Sequence, residues 1–336
     1  MANWNKLIEK HDKKHVLQWM KKFPDQMAEA IYRGKQFSPK SKKIDNVVAC
    51  GMGGSGVGAA LLKNILKSEL KVPFEVYNSY DLPAYANKKT LVFCISFSGN
   101  TEETINCLKQ AKKKKAYTIT ITTGGKISKM AKPSLITIPK SSPQPRMALA
   151  YLSIPMLITL QKMKLVKGKS KELKESTTTL KKEEKQIEKQ AKKLALKLKS
   201  KLPIIYAPEE LQTISYRFRT EINENAKQFA LSHFLPEQNH NEISARFGLK
   251  RKDCEIILLR HGHEHKKIEK RFKTLKKIMG KNYNITEISL KGKSLLATTF
   301  YTLQLAALTS YYLALLNEVD PEPVPTITLL KKQLKK

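Results

Sequence analysis

Twice before residue 105, an apolar run stops at a turn of glycine or hydroxyl residues and a helix-like stretch follows. IDNVVAC (44–50) runs into GMGGSG (51–56), and TLVFCIS (90–96) runs into FSGNTEET (97–104). Apolar runs this short, set between helical stretches, read as strands buried on both faces. A chain that repeats strand, turn and helix builds a parallel sheet covered by helices. FEVYN (74–78), AYTITIT (116–122) and SLITIP (134–139) supply further strands. Capping signals place helices near 55–68 and 101–114, and an apolar helix closes this half at 147–163. The rhythm then returns with strands at 202–208, 254–260 and 284–290. Helices are expected near 209–227, 264–279 and 294–316.

A chain of 336 residues exceeds most single cores and suits two α/β domains. The expected division is N-terminal helices over 1–43, a first α/β domain over 44–163 and a lysine-rich helical connector over 164–201. A second α/β domain with a C-terminal helix and tail occupies 202–336. The charge is high, with 63 Lys and Arg against 29 Asp and Glu, a formal +34. The excess is mostly lysine and is densest over 162–201, where glutamates stand among the lysines at helical spacing. That mixture reads as a solvated helix with i,i+4 pairs. It does not read as a specific nucleic-acid surface, because no aromatics alternate with the lysines and no zinc-finger or RNP motif is present. No apolar stretch reaches the roughly 18 residues that span a bilayer. MANWNKLIEKHDKKH has no apolar core of the kind a signal peptide needs, so a cytoplasmic protein is expected. Cys50, Cys94, Cys107 and Cys254 lack CxxC spacing and read as reduced residues, two of them in buried strands.

In open α/β sheets, ligands bind beyond the C-terminal strand ends, so the two turns carry the chemistry. GMGGSG has the G-x-G-x-x-G spacing of a dinucleotide site. That motif needs an acidic residue at the end of the second strand, and FEVYN ends in Asn78 with Glu75 inside it. A Walker A reading fails because no GK[ST] follows. The second turn holds Ser96, Ser98 and Thr101 beside the first amides of a helix. Hydroxyl donors, free amides and the helix dipole together suit a phosphate monoester. Simple helix capping, with Glu102 or Glu103 completing a box, is the competing explanation, but it needs only one hydroxyl.

GMGGSG followed by SFSGNTEET resembles the sugar isomerase (SIS) domain, whose serine-rich turn holds a sugar phosphate. SPQPRMALAYL (142–152), INENAK (222–227), LPEQNHNEI (235–243) and DPEPVPTITLLK (320–331) narrow the likeness. They resemble, in order, the archaeal-type bifunctional phosphoglucose/phosphomannose isomerases. The likeness runs from about residue 45 to the C-terminus and departs only in the charge of the segment before residue 202. It implies two SIS-type subdomains, each a three-layer α/β/α arrangement. It also implies reversible isomerisation of glucose 6-phosphate and mannose 6-phosphate with fructose 6-phosphate, through ring opening and a cis-enediolate. No cofactor and no metal are implied.

The resemblance assigns roles by position. Ser96, Ser98 and Thr101 would hold the phosphate, and Gly54 and Ser55 would line the sugar. Glu224 would be the base that moves a proton between C1 and C2, a task for a carboxylate whose pKa is raised toward neutrality. Without the family, Glu221 is an equal candidate. Arg146 would stabilise the enediolate as a permanent cation. His240, able to give and take a proton near neutral pH, would open the ring from the partner subunit of a homodimer. Lys331 would assist at the ring, with Lys332 as its neighbour. A non-catalytic SIS regulator that binds sugar phosphate is the alternative from another class, and an amino-sugar-forming SIS enzyme is a third. His261, His263 and His265 in RHGHEH alternate after a strand as zinc ligands can, but read as a polar strand-end turn.

Overall fold

The computed structural model describes residues 2–140, 142, 144–245 and 250–334. The first sheet contains β1 (Asn46–Cys50), β2 (Phe74–Tyr77), β3 (Thr90–Ser96), β4 (Tyr117–Thr122) and β5 (Leu135–Thr137). Its order is β2-β1-β3-β4-β5 and every neighbouring pair is parallel. The second contains β6 (Leu202–Pro208), β7 (Leu231–Leu235), β8 (Cys254–Arg260) and β9 (Asn284–Ser289). Its order is β7-β6-β8-β9, again parallel throughout. All seven residues of β3 are buried, as a central strand covered on both faces requires.

The helices of the N-terminal half are α1 (Trp4–His11), α2 (Val16–Lys21), α3 (Phe23–Gln36), α4 (Gly54–Leu66), α5 (Glu102–Lys113), α6 (Gly125–Ala131) and α7 (Leu149–Lys162). The others are α8 (Ser170–Leu198), α9 (Gln212–Asn225), α10 (Lys266–Met279), α11 (Leu295–Leu316) and α12 (Pro325–Gln333). The chain forms two compact units, Lys22–Thr177 around the first sheet and Met1–Lys21 with Thr178–Lys336 around the second. The division falls inside α8.

Residues 4–21 belong to the second unit for a packing reason. Trp4 meets the Tyr312 ring edge-on at 5.0 Å, and the Tyr311 hydroxyl donates to Asp12 Oδ2 at 2.8 Å. The Gln304 amide donates to the Met20 carbonyl at 2.8 Å. These bonds satisfy polar groups of α11, which is buried along almost its whole length. Among the described residues no helix is long and apolar enough to cross a membrane.

The lysine-rich stretch is less solvated than its composition suggests. Leu180, Ile187, Ala191, Leu194 and Leu198 form a buried stripe at helical spacing along α8. The expected i,i+4 pairing appears on its flank, where Lys192 meets Glu188 at 2.8 Å.

Candidate active site

In both sheets the strand order reverses beside the first strand, between β1 and β3 and between β6 and β8. Turns that leave such neighbouring strands diverge and open a crevice. In the first unit these are the two turns singled out in the sequence.

The glycine turn after β1 is tightly built. Asn78 donates its side-chain amide to the Gly51 carbonyl at 2.5 Å. A Cβ on Gly56 would stand 2.1 Å from that amide nitrogen and 2.6 Å from the Gly51 carbonyl oxygen, and the backbone clash excludes a side chain there. The residue at the end of β2, where a dinucleotide site needs its carboxylate, is thus spent on the turn itself. Gly54 opens α4 and lies against the backbone of the segment bearing Arg146, whose Cα would be 3.2 Å from a Cβ there. The close approach brings buried Arg146, only 4% exposed, to the glycine turn. Ser55 is buried, and its Oγ accepts from the Phe97 backbone N–H at 3.4 Å.

The serine turn after β3 answers the capping alternative. Thr101 occupies the N-cap of α5, yet its side chain makes no cap hydrogen bond. Its hydroxyl pairs with Ser96 Oγ at 2.8 Å, and Ser96 Oγ also accepts from Gly99 N–H at 3.1 Å. The exposed Ser98 Oγ accepts from Asn100 N–H at 3.2 Å. Gly54, Ser55, Ser96, Thr101 and Arg146 are therefore gathered at one switch point, with Ser98 at its rim.

A third turn, TTGG (122–125) after β4, supports the second and escaped the sequence reading. Thr123 donates to the Phe97 carbonyl at 2.7 Å, and Ile127 N–H donates to the Gly99 carbonyl at 2.9 Å. Gly99 has φ +68°, and a Cβ there would collide with the Gly124 carbonyl. The paired glycines after AYTITIT were the available signal.

In the second unit, α9 separates the two candidate glutamates. Glu221 is 5% exposed and its two oxygens are engaged, one by the Arg217 guanidinium and the other by the Asn225 amide at 2.6 Å. Asn225 also donates to Ser310 Oγ on α11 at 2.9 Å. Glu221 therefore ties helices together. Glu224 is half-buried, one turn further on. Lys227, at φ +54°, caps this helix end. Its ammonium donates to the carbonyls of Glu224 (2.8 Å), Asn225 (3.2 Å) and Asp320 (2.9 Å), where the helix dipole favours a cation. Lys227 is a structural partner of the INENAK turn that composition alone did not single out.

His240 is exposed in the short 3-10 turn Glu237–His240 that follows β7. Its neighbour Asn239 accepts from Arg271 Nη1 at 3.1 Å. Glu224 stands before β7 begins and His240 after it ends. The five residues of β7 span about 16 Å at the usual rise. One chain thus holds these two groups at opposite ends of a sheet. Lys331 and Lys332 lie on α12, which buries no residue. The segment leading to it passes Lys227 at Asp320, on the Glu224 side.

The RHGHEH histidines are engaged locally. His261 Nε2 lies 2.8 Å from Glu210 Oε1, and His265 accepts from Lys267 N–H as the N-cap of α10. Among the described residues no group of three or more His, Cys, Asp or Glu side chains is placed to hold a metal ion.

Known proteins agree with this architecture. Residues 41–161 match the SIS domain, and residues 187–334 match the bacterial phospho-glucose isomerase C-terminal SIS domain. The chain is 38% identical to the bifunctional phosphoglucose/phosphomannose isomerase of Caldicellulosiruptor bescii, over 93% of this chain and 96% of that one. It is 35% identical to the protein so named from Thermoplasma volcanium, over 88% and 93%. In fold it is similar to the C-terminal domain of glucosamine-fructose-6-phosphate aminotransferase from Francisella tularensis. The TM-score is 0.75 at 16% identity, covering 93% of this chain and 98% of that one.

Proposed function

The chain belongs to the bifunctional phosphoglucose/phosphomannose isomerase family, and on that premise we propose how its residues interconvert glucose 6-phosphate, mannose 6-phosphate and fructose 6-phosphate. The phosphate sits in the turn of Ser96, Ser98 and Thr101, where hydroxyls and helix amides replace its water shell. Gly54 and Ser55 line the sugar. His240 of the partner subunit moves the ring-oxygen proton, with Lys331 assisting, and the open chain is released. Glu224 then takes the proton from C2 of the aldose and returns it to C1, through a cis-enediolate. The Arg146 guanidinium faces the developing negative charge. Glucose and mannose 6-phosphates are C2 epimers that share this enediolate, so reprotonation of either face gives both products. The protein works as a cytoplasmic homodimer without a metal or cofactor.

One observation carries the reading. The paired hydroxyls of Ser96 and Thr101, the buried Ser55 and the backbone of buried Arg146 converge at a single switch point, which supports a phosphate turn next to a permanent cation. Support for Glu224 over Glu221 comes from the saturation of Glu221 by Arg217 and Asn225. Support for a shared site comes from the strand that separates Glu224 from His240.

The test is incubation of chelator-treated protein with fructose 6-phosphate in heavy water, followed by NMR. Deuterium in both aldose phosphates, lost in Glu224→Gln by roughly 10³-fold in rate, is the expected result. Glucose 6-phosphate alone removes the dual specificity. Binding without exchange assigns the chain to the non-catalytic regulators.

A further inference from the structure

We propose that a second anion site, independent of the isomerase reading, lies at the N-terminal ends of β6, β8 and β9 and takes a small phosphate-bearing anion. A cavity of about 470 Å³ opens there, and Lys197, Lys201, Arg251 and Lys276 line it. That end of the sheet is opposite the His240 turn.

Lys197, Arg251 and Lys276 reach solvent, but hydrogen bonds to the cavity wall orient the cations. Glu255 is 4% exposed at the cavity wall. One of its oxygens accepts from Lys201 at 2.9 Å and the other from the Thr286 hydroxyl at 2.6 Å. Thr286 Oγ1 in turn accepts from Lys197 at 2.8 Å. A buried carboxylate thus fixes Lys201 directly and Lys197 through one hydroxyl. Arg251 is fixed separately, since Nε donates to Asn284 Oδ1 at 3.0 Å and the Asn284 amide donates back to the Arg251 carbonyl at 3.2 Å.

Charge counting sets the ligand class. Glu255 neutralises Lys201, and Glu287 pairs with Lys276 at 2.9 Å. Among the described residues Lys197 and Arg251 bond only neutral oxygens, which leaves two positive charges on the cavity wall. Two charges match a phosphate monoester or pyrophosphate dianion. The concave shape, with Tyr283 and Ile285 in the lining, favours a compact anion over a polymer whose phosphates run along an open face.

The test uses inorganic pyrophosphate and the full chain carrying Ser96→Ala and Thr101→Val, so that the phosphate turn is silenced. Calorimetric titration is expected to show one saturable site. Adding Lys197→Ala and Arg251→Ala is expected to weaken it at least roughly 10-fold, since each removes a charge-assisted hydrogen bond to the anion. Circular dichroism confirms that each variant is folded. Absence of saturable binding overturns the proposal, as does binding that both substitutions leave unchanged. A single-stranded oligonucleotide that binds through the same two residues, more tightly than pyrophosphate, also overturns it and makes the surface a nucleic-acid contact.

Discussion

Between β1 and β3, and again between β6 and β8, the two sheets offer the same topological opening. In the first, glycines draw the backbone of Arg146 close to the turn, and the hydroxyls of Ser55, Ser96 and Thr101 bond within the two turns. In the second, the protein's own side chains fill the opening. His261 bridges to Glu210, while Glu264 accepts from Arg260 Nε and from the His261 backbone, both at 2.9 Å. Burial opposes charge on Glu210 and Glu264, but hydrogen bonds from His261 and Arg260 outweigh it and hold both carboxyls below the usual range. A switch point is therefore only an opportunity. Hydroxyls and glycines leave it to a ligand, whereas a charged network closes it. The groups proposed for the chemistry of the second unit lie elsewhere, at the end of α9 and in the turn after β7.

The widest separation between the two openings should appear in catalysis. Ser96→Ala with Thr101→Val is expected to lower kcat/KM by about 10²–10⁴, the worth of two hydrogen bonds to a charged phosphate. His261→Ala should leave kcat/KM within about threefold, because a closed opening touches no substrate. Equal losses in the two variants would erase the distinction.

Stability should show the reverse preference. Glu264→Gln removes the nearer carboxylate from Arg260, leaving it Glu287 at 3.6 Å, and is expected to cost about 3 kcal/mol in urea unfolding, with steady-state kinetics unchanged. A silent Glu264→Gln would mean that the network does not hold the second opening shut. Gly56→Ala forces a methyl into the Asn78 amide and should cost about 2 kcal/mol, with the glycine turn displaced. A crystal of that variant with an undisturbed turn would remove the glycine argument.

The smallest effect is on acid stability. Both lowered carboxyls, Glu210 and Glu264, contribute stability that is present above the ordinary glutamate pKa of about 4.3 and is lost as pH falls through their folded values. The stability difference between wild type and Glu210→Gln should therefore be level near neutrality, at about 1 kcal/mol, and shrink on acidification below roughly pH 4. A difference that grows on acidification contradicts the assigned direction.

The fold was legible wherever burial is continuous. Strands such as TLVFCIS and CEIILLR announce themselves because both faces are covered. β7, LSHFL, did not, since it is an edge strand with only Leu235 fully buried and a histidine at its centre. The short α6 and the fully exposed α12 have little buried apolar face to read. Residues 4–21 gave no hint that they pack on α11, because contacts such as Tyr311 to Asp12 join positions far apart in the chain. At the site, the hydroxyl turn was readable from spacing. The engagement of Glu221 was not, for it depends on Arg217 and on an Asn225 that Ser310 also holds. The ordering of lysines by Glu255 was equally hidden, since composition counts charges and not their partners.

The length of β7 has a genetic corollary. With the site shared between subunits as proposed, a Glu224→Gln chain still lends an intact His240, and a His240→Ala chain still keeps an intact Glu224. Each homodimer is dead, yet a mixed pair rebuilds one whole centre. Random reassortment of the two dead proteins makes half the dimers mixed, each with one working centre of two, so about a quarter of the full rate returns. Two defective alleles in one cell would complement each other, and neither would do so alone.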